Sequence, residues 1–380
     1  MADPVLRVRR SDVAPDAEFG DDVVIEADEL VIGPGVRICF SGADDFRTPP
    51  GVRIGCSRLV LGAGASIGRS VRIDGGSVTL GAGVRVLRHA TIRVLGELSI
   101  GDAGTVGEGC EISGRNVRIG QELWMLPGAK IGGGSAFENA SRLEAGHYLH
   151  LGVDTLINTA RPVVIGHEVG LGTRTSIYTH GAYPSALEGF PVAFEGVEIG
   201  DFTWIPGAVV NPGVRIGRNC VIGVNSLVTS DVPDGSLAAG SPARVIRENA
   251  YPRPMSPVER LDFFERFLTA YADVLATDDR PKRLRGSVIL RTPDASYVAG
   301  EPVEASGRVM VVTDRGGQPG DAATIFDTDA RRIRGVADAQ SDRFANELRR
   351  NGIRFYSRPG EDGRYVDWEA TVPRFGRPRS

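Results

Sequence analysis

This 380-residue sequence has few cysteines and no long apolar runs. Its first residues, MADPVLRVRRSDVAPDAEFG, contain no apolar signal-peptide core, and no later run approaches the length of a membrane span. The cysteines Cys39, Cys56, Cys110 and Cys220 show no CxxC spacing, which favours buried free thiols over disulfides or a zinc site. The formal net charge of −4 gives no indication of nucleic acid or an anionic membrane as a partner. We therefore expect a cytoplasmic protein without a membrane span.

Glycine, in contrast, is abundant, and it often follows an aliphatic residue at a short, nearly constant interval. In the stretch 65–94 the aliphatic residues six or seven positions apart are Ile67, Ile73, Leu80, Val86 and Ile92. Neither an amphipathic helix nor an alternating strand repeats at that interval. A fixed short period indicates stacked identical units, each of which buries its apolar face on its neighbours. Three six-residue sides would close a triangular coil, with the aliphatic residue inside and glycine easing each bend.

Two segments interrupt this repeat. The first lies between Ile131 and Leu151, and the second lies between Ile177 and Ile199 and carries His180. Long loops inside a regular array are usually functional. We therefore expect the second loop to project from the prism and to carry functional residues.

The character of the sequence changes after Arg247. Strand-like stretches cover residues 287–291, 309–313 and 323–326, and a helical pattern covers residues 338–350. These elements predict a small α+β domain, in which we find no catalytic motif. The predicted organisation is an N-terminal extension at 1–24, a β-helix domain at 25–248 and a C-terminal α+β accessory domain at 256–372.

Residues 165–248 resemble the hexapeptide-repeat acyltransferases, which include galactoside, maltose, streptogramin and surface-polysaccharide acetyltransferases. The resemblance rests on YTHG at 178–181 and on VEIGDFTWIPGAVVNPGVRIGRNCVIGVNSLVTSDVPDGSLAAGSPARVIRE at 197–248. Members of this family are left-handed parallel β-helices, an exception to the usual right-handed crossover. The resemblance implies a mainly β fold, a homotrimer and acetyl-CoA as acyl donor, with no metal. It also implies a small-molecule acceptor, a sugar or a sugar-like natural product.

The resemblance also implies functional residues. His180 matches the family histidine that removes a proton from the acceptor hydroxyl or amine, and a neutral imidazole suits that step at pH 7. The residues implied for the substrate cleft are Asn158, Tyr183 and Trp204. The residues implied for the CoA-binding arm are Trp204, Gly207, Val224, Thr229, Arg244 and Arg247. The two arginines would bind the nucleotide phosphates, because guanidinium groups pair bidentately with phosphate.

Two departures from the family pattern affect the donor site. Ser230 stands where the family often has lysine, and Ile205 to Ile216 spans 11 positions instead of 12. The missing residue falls beside Pro206 and Gly207, so CoA could bind in a different position or carry an acyl group other than acetyl.

Two other function classes remain open at this point. One is a non-catalytic trimeric scaffold or binding protein. The other is a metalloprotein like the γ-class carbonic anhydrases, which bind zinc through three histidines, although the spacing of His147, His150, His167 and His180 does not favour it. His147 and His150 end the first interruption, and there they either line the acceptor cleft or simply cover the prism.

Overall fold

A computed structural model describes most of the first 255 residues and parts of the remainder. The described residues are 4–40, 51–182, 184–255, 286–291, 296–299, 308–313, 323–327, 331–360 and 362–367, with Glu259, Phe263 and Phe267. The chain divides into two compact units, Met1–Pro252 and Arg253–Ser380. Within the described part, every helix is too short or too polar to span a membrane.

The first unit is a stack of parallel coils. Arg53 pairs with Arg72 and Arg72 pairs with Thr91, so one coil here takes 19 residues, three hexads and one further residue. Nearer the end of the stack Val209 pairs with Leu227, a step of 18 residues. The stacked coils predicted from the aliphatic period, and the parallel β-helix that the resemblance implies, are therefore confirmed.

Each coil has three sides. The first side comprises the strands Val5–Val13, Val23–Ile32, Val52–Leu61, Arg72–Leu80, Thr91–Ile100, Glu111–Ile119, Lys130–Ile131, Leu156–Ile157, Ser176–Ile177, Val209–Val210 and Leu227–Val228. The long strands among these, from Val5–Val13 to Glu111–Ile119, continue onto the second side. The second side continues as Arg142–Ala145, Val163–Ile165, Val197–Ile199 and Arg215–Ile216. The third side comprises Glu18–Phe19, Arg37–Phe40, Ser66–Gly68, Arg85–Val86, Thr105–Val106, Trp124–Met125, His150–Leu151, Gly170–Leu171, Trp204–Ile205, Val221–Ile222, Leu237–Gly240 and the antiparallel Ala243–Arg247.

The aliphatic residues of the repeat form a continuous core along the axis of the stack. The five that defined the period, Ile67, Ile73, Leu80, Val86 and Ile92, are all at most 1% exposed. Burying one such side chain contributes about 1.5–3 kcal/mol relative to leaving it in water. This contribution recurs in every coil, so the stack is a rigid scaffold for whatever its corners carry.

The repeat begins earlier than the sequence indicated. Val5–Val13 pairs in parallel with Val23–Ile32, so the segment predicted as an N-terminal extension, residues 1–24, contains the first coil. The aliphatic repeat is weak in this segment because an end coil packs against a neighbouring coil on one side only. Of its strand residues, Val8 and Val13 pack against the core and are only partly buried.

The long interruptions share one corner of the coil. Glu111–Ile119 pairs through its first residues with Lys130–Ile131 and through its last residues with Arg142–Ala145, so the residues between those two strands leave the coil where the first side meets the second. The next two coils insert residues at the same point. The three segments at this corner, called the site corner below, are residues 132–141 (first), 158–162 (second) and 178–196 (third). The third segment contains the strands His180–Gly181 and Ala193–Phe194 and the 3₁₀ helix Ala186–Glu188.

The second unit contains a mixed sheet and a helix. Its five-stranded sheet has the described strands, in spatial order, Ser296–Ala299, Gly286–Arg291, Arg308–Thr313, Ala323–Asp327 and Arg332–Gly335, with a further pair, Ser357–Pro359 and Tyr365–Asp367. The helix Ala339–Arg350 packs through Phe344, whose ring meets Phe326 edge-on at 5.0 Å between centroids, and both side chains are fully buried. The α+β character predicted for this part of the chain is confirmed.

Candidate active site at the site corner

His180 lies on a short antiparallel pair in the third segment. It stands opposite Phe194, and Gly181 stands opposite Ala193. The His180 and Phe194 rings are stacked, with 5.6 Å between centroids and an interplanar angle of 22°. His180 is half-buried, so one part of the ring is packed while another part meets solvent.

Asn158 fixes the position of the proton on His180. Its side-chain Nδ2 donates to the carbonyl oxygens of Gly134 (3.1 Å) and Gly132 (3.4 Å), which can only accept. The amide oxygen therefore faces His180 and lies 2.9 Å from Nδ1. An amide oxygen has no hydrogen to give, so Nδ1 carries the hydrogen in the neutral ring. The lone pair of the neutral imidazole is consequently at Nε2.

The predicted substrate-cleft residue Asn158 is almost completely enclosed. Its residue surface is 3% exposed, and its amide oxygen also accepts the Thr179 hydroxyl at 2.7 Å and the Ala160 N–H at 3.3 Å. The Thr179 hydroxyl in turn accepts the Arg161 N–H at 3.1 Å. These bonds join all three segments of the site corner, so the geometry supports an orienting role for Asn158 inside the wall of the site.

An ion pair closes the site corner on the other side. The Glu138 carboxylate of the first segment lies 3.0 Å from the Arg161 guanidinium of the second. That guanidinium also lies over the Phe194 ring of the third segment, 4.7 Å from its centroid. Hydrogen bonds from the Ser135 and Arg161 side chains hold the pKa of Glu138 below its ordinary value, and the charge of His180 adds a smaller effect of the same sign.

The residues predicted for the CoA arm lie mainly on other parts of the coil. Trp204 is on the third side and is 56% exposed, with its indole beside Gly170. Val224, 62% exposed, lies at the corner between the third and first sides, close to Gly207. Thr229 is exposed and follows the first-side strand Leu227–Val228.

The other predicted donor residues lie at the end of the stack. Arg244 and Arg247 are exposed on the last strand, which pairs antiparallel with Leu237–Gly240 of the third side. Tyr183, predicted for the substrate cleft, lies outside the described residues. The described residues therefore join His180 and Asn158 directly, while Trp204 and the two arginines lie on another side of the coil.

The missing residue near Gly207 shortens the turn between the third side and the first side of the coil. From Leu171 to Ile177 the chain takes six steps between inward positions, but from Ile205 to Val210 it takes five. Gly207 has a φ of +129°, a conformation that residues with a Cβ rarely adopt. Glycine is therefore required for the shortened turn.

Two other histidines support a different corner of the coil. His147 Nδ1 accepts the Gln121 N–H at 2.9 Å, and His167 Nδ1 accepts the His147 N–H at 3.1 Å. Their rings are stacked with 4.9 Å between centroids. Burial and the neighbouring His167 lower the pKa of His147. In the described part of the chain, no three histidine, cysteine or acidic side chains are grouped as metal ligands.

Sequence reasoning did not identify Glu138, Arg161, Thr179 or Phe194. One signal was available, because counting hexads places the segments before Arg142, Val163 and Val197 at the same corner. The sequence gives no comparable indication of which side chains of these segments contact one another.

Comparison with known proteins agrees with the repeat. Residues 196–230 match the model of the family "Bacterial transferase hexapeptide (six repeats)". Galactoside O-acetyltransferase of Escherichia coli K12 is 33% identical over 131 residues, which cover 34% of this chain and 63% of the relative. Galactoside O-acetyltransferase of Lactococcus lactis is 36% identical over 117 residues, covering 30% and 55%. This chain therefore spans less than two thirds of the length of these relatives.

Solved structures of similar proteins also match. A galactoside acetyltransferase in complex with coenzyme A is 27% identical, with 37% of this chain and 70% of that chain covered and a TM-score of 0.28. A maltose O-acetyltransferase from Clostridium difficile 630 is 30% identical, with 38% and 68% covered and a TM-score of 0.24. The family model and the galactoside O-acetyltransferase relatives confirm the predicted resemblance: residues 196–230 carry bacterial-transferase hexapeptide repeats, and the chain is similar in sequence to galactoside O-acetyltransferases.

Proposed function

We propose that this chain is a CoA-dependent acetyltransferase that transfers the acetyl group to a hydroxyl or amine of a sugar or sugar-like acceptor. The observation that carries the proposal is the hydrogen bond between Asn158 and His180 in a chain whose repeat resembles acetyltransferases. That bond leaves the basic nitrogen of the imidazole, Nε2, without a proton. A base with this arrangement is what an acyl transfer to a neutral nucleophile requires.

His180 acts as the general base in this mechanism. Its Nε2 takes the proton from the acceptor O–H or N–H while the acceptor atom forms a bond to the acyl carbon. The same nitrogen then returns the proton to the departing sulfur. The Asn158 amide oxygen accepts a hydrogen bond from Nδ1–H throughout, and this bond stabilises the imidazolium that forms between the two steps.

Acetyl-CoA, when bound, supplies a thioester carbonyl that is activated toward attack. Exposed residues of the third side and of its corner with the first side suit this donor, because Trp204 and Val224 offer apolar surface for an extended chain. Arg244 and Arg247 are exposed cations that can pair with phosphate groups. The proposed mechanism uses no metal ion.

The proposed assembly is a homotrimer. Within one chain, the base at the site corner and the donor residues of the third side lie on different sides of the coil. A cyclic arrangement would bring the third side of one copy against the site corner of the next. Each complete site would then contain His180 from one copy and Trp204 from its neighbour.

The test is a transfer assay with labelled acetyl-CoA and a panel of glycosides, amino sugars and hydroxylated metabolites. We expect acceptor-dependent label transfer that disappears in His180→Ala and persists in His89→Asn, a control at an exposed histidine whose φ of +62° asparagine tolerates. Binding of acetyl-CoA raises the melting temperature if the donor site is intact. A protein that neither transfers label nor gains stability with acetyl-CoA would instead fit a non-catalytic scaffold.

A further inference from the structure

The ring of Phe194 has a charged neighbour as well as the catalytic histidine. The Arg161 guanidinium lies 4.7 Å from its centroid, and the His180 imidazole stacks on it at 5.6 Å. Cation–π contacts of this kind stabilise by about 0.5–1 kcal/mol at exposed sites and by more where water is excluded. The Arg161 side chain is 27% exposed, so it is partly withdrawn from water.

The backbone pair that carries His180 is too short to hold the ring by itself. It consists of two residues on each strand, His180–Gly181 and Ala193–Phe194. An isolated two-stranded ribbon is marginally stable in water, so side-chain contacts decide how firmly its residues are held. For His180 those contacts come from Asn158 on one side and from Phe194 on another.

Arg161 also neutralises a carboxylate near His180. Glu138 is near enough for the His180 charge to affect its titration, and its carboxylate is paired with Arg161 at 3.0 Å. The other titratable residues in the described part of the third segment are Tyr178, Glu188 and Glu195, and the Glu195 carboxylate lies beside Gly213 of the following coil.

We propose that Arg161 is a positioning residue of the site: clamped by Glu138, it fixes the Phe194 ring against His180 and pairs with a carboxylate that would otherwise stand uncompensated near the imidazole. This inference rests on the proposed function, in which His180 must be neutral to accept a proton. Arg161 does not touch the reacting atoms. It acts through the orientation and the charge state of the base.

Two single substitutions should shift the titration midpoint of the His180 ring in opposite directions. Arg161→Gln leaves the Glu138 carboxylate with its Ser135 hydrogen bond but without its cationic partner, so we expect the midpoint of the His180 titration to rise in this variant. Glu138→Gln leaves the Arg161 cation uncompensated, so the midpoint falls. Each change is expected to be about half a pH unit, the size produced by one solvent-exposed charge near a titrating group. The double variant should return to within about 0.2 unit of the wild-type midpoint, since the two effects cancel.

The experiment is a histidine-ring NMR titration of the full chain. Five histidines are present, and the signal that disappears in His180→Ala identifies the one of interest. Arg58→Gln is the matched control, because it removes an arginine from an exposed ion pair with Glu29 (2.9 Å) in the N-terminal coils, away from the site corner. Opposite shifts in the two single variants, with none in the control, support the proposal. Equal midpoints in all variants would overturn it.

Activity measurements separate this inference from the proposed function. In an active enzyme the acidic limb of the pH–rate profile should move in the same directions as the midpoints, and Arg161→Lys should retain the wild-type limb while turnover falls. Loss of activity in His180→Ala combined with unchanged midpoints in the Arg161 and Glu138 variants would reject the positioning role alone. Opposite midpoint shifts in a chain without transferase activity would reject the proposed function and retain the contact network.

Discussion

Replacement of Asn158 by alanine should weaken both the fold and the site. The Asn158 side chain makes three hydrogen bonds of 3.1 Å or shorter, to Thr179, His180 and Gly134. A net contribution of about 0.5–1.5 kcal/mol from each gives an expected loss of about 1.5–4.5 kcal/mol in the free energy of unfolding. Thr179 has a second acceptor in the Asn158 carbonyl at 3.2 Å, so the lower half of this range is favoured.

The same substitution should reduce turnover, because the Nδ1 hydrogen then loses its acceptor and the ring orientation of His180 depends on the stacking with Phe194 alone. A small misplacement of a catalytic group costs up to about 100-fold in rate, so we expect a 10- to 100-fold loss. Acetyl-CoA affinity should be unchanged, since Trp204, Arg244 and Arg247 lie on the third side of the coil and Asn158 does not.

Urea unfolding followed by circular dichroism and a turnover assay at saturating substrates together measure both effects. Asn116→Ala is the matched control, since Asn116 accepts one exposed hydrogen bond of 3.2 Å from the Glu97 N–H. The control should lose less than about 1.5 kcal/mol and keep its turnover. An Asn158→Ala protein with wild-type stability would refute the hydrogen-bond assignment, and one that is destabilised but fully active would refute the orienting role.

Three further predictions concern pH, the donor and assembly. The pKa of His147 is lowered from 6.5 in the folded chain, so folding disfavours its protonation and stability should fall as pH drops below about 6.5; thermal melts should show a smaller decrease in His147→Asn, which accepts the same N–H without titrating. Replacing Arg244 and Arg247 by alanine should weaken CoA more than dephospho-CoA in calorimetric titrations, and equal weakening would exclude contact with the 3′-phosphate. Light scattering should give about three times the 40.5 kDa monomer mass, and a monomer would contradict the proposed assembly.

The fold could be predicted because aliphatic residues recur in the sequence at a nearly fixed interval. An aliphatic residue must point inward on each side of every coil, and residues such as Ile73 and Ile92 at those positions are fully buried. The first coil escaped prediction because Val8 and Val13 only partly meet the core. The extra residue in many coils shows in the sequence only as an interval of seven instead of six, as between Ile73 and Leu80, and both of these residues still point inward.

The candidate site was predictable only in part. His180 was selected from its motif and from its loop, and its catalytic role stays a prediction. Its contact with Asn158 joins residues 22 positions apart, and the Glu138–Arg161 pair joins residues 23 positions apart. Those separations differ from the regular coil length because the inserted segments change it. Which side chains meet therefore depends on how each segment folds back on the corner.

The most direct test of the account is the turnover of His180→Ala. Removal of a general base typically lowers the rate by about 10²–10⁴-fold, and we predict a loss in that range. The ring is half-buried on a loop outside the inward-facing positions, so the melting temperature and the acetyl-CoA dissociation constant should stay near their wild-type values. Partial recovery at high pH is expected, because more of the acceptor is then already deprotonated. A His180→Ala protein that transfers acetyl groups at the wild-type rate would contradict the account.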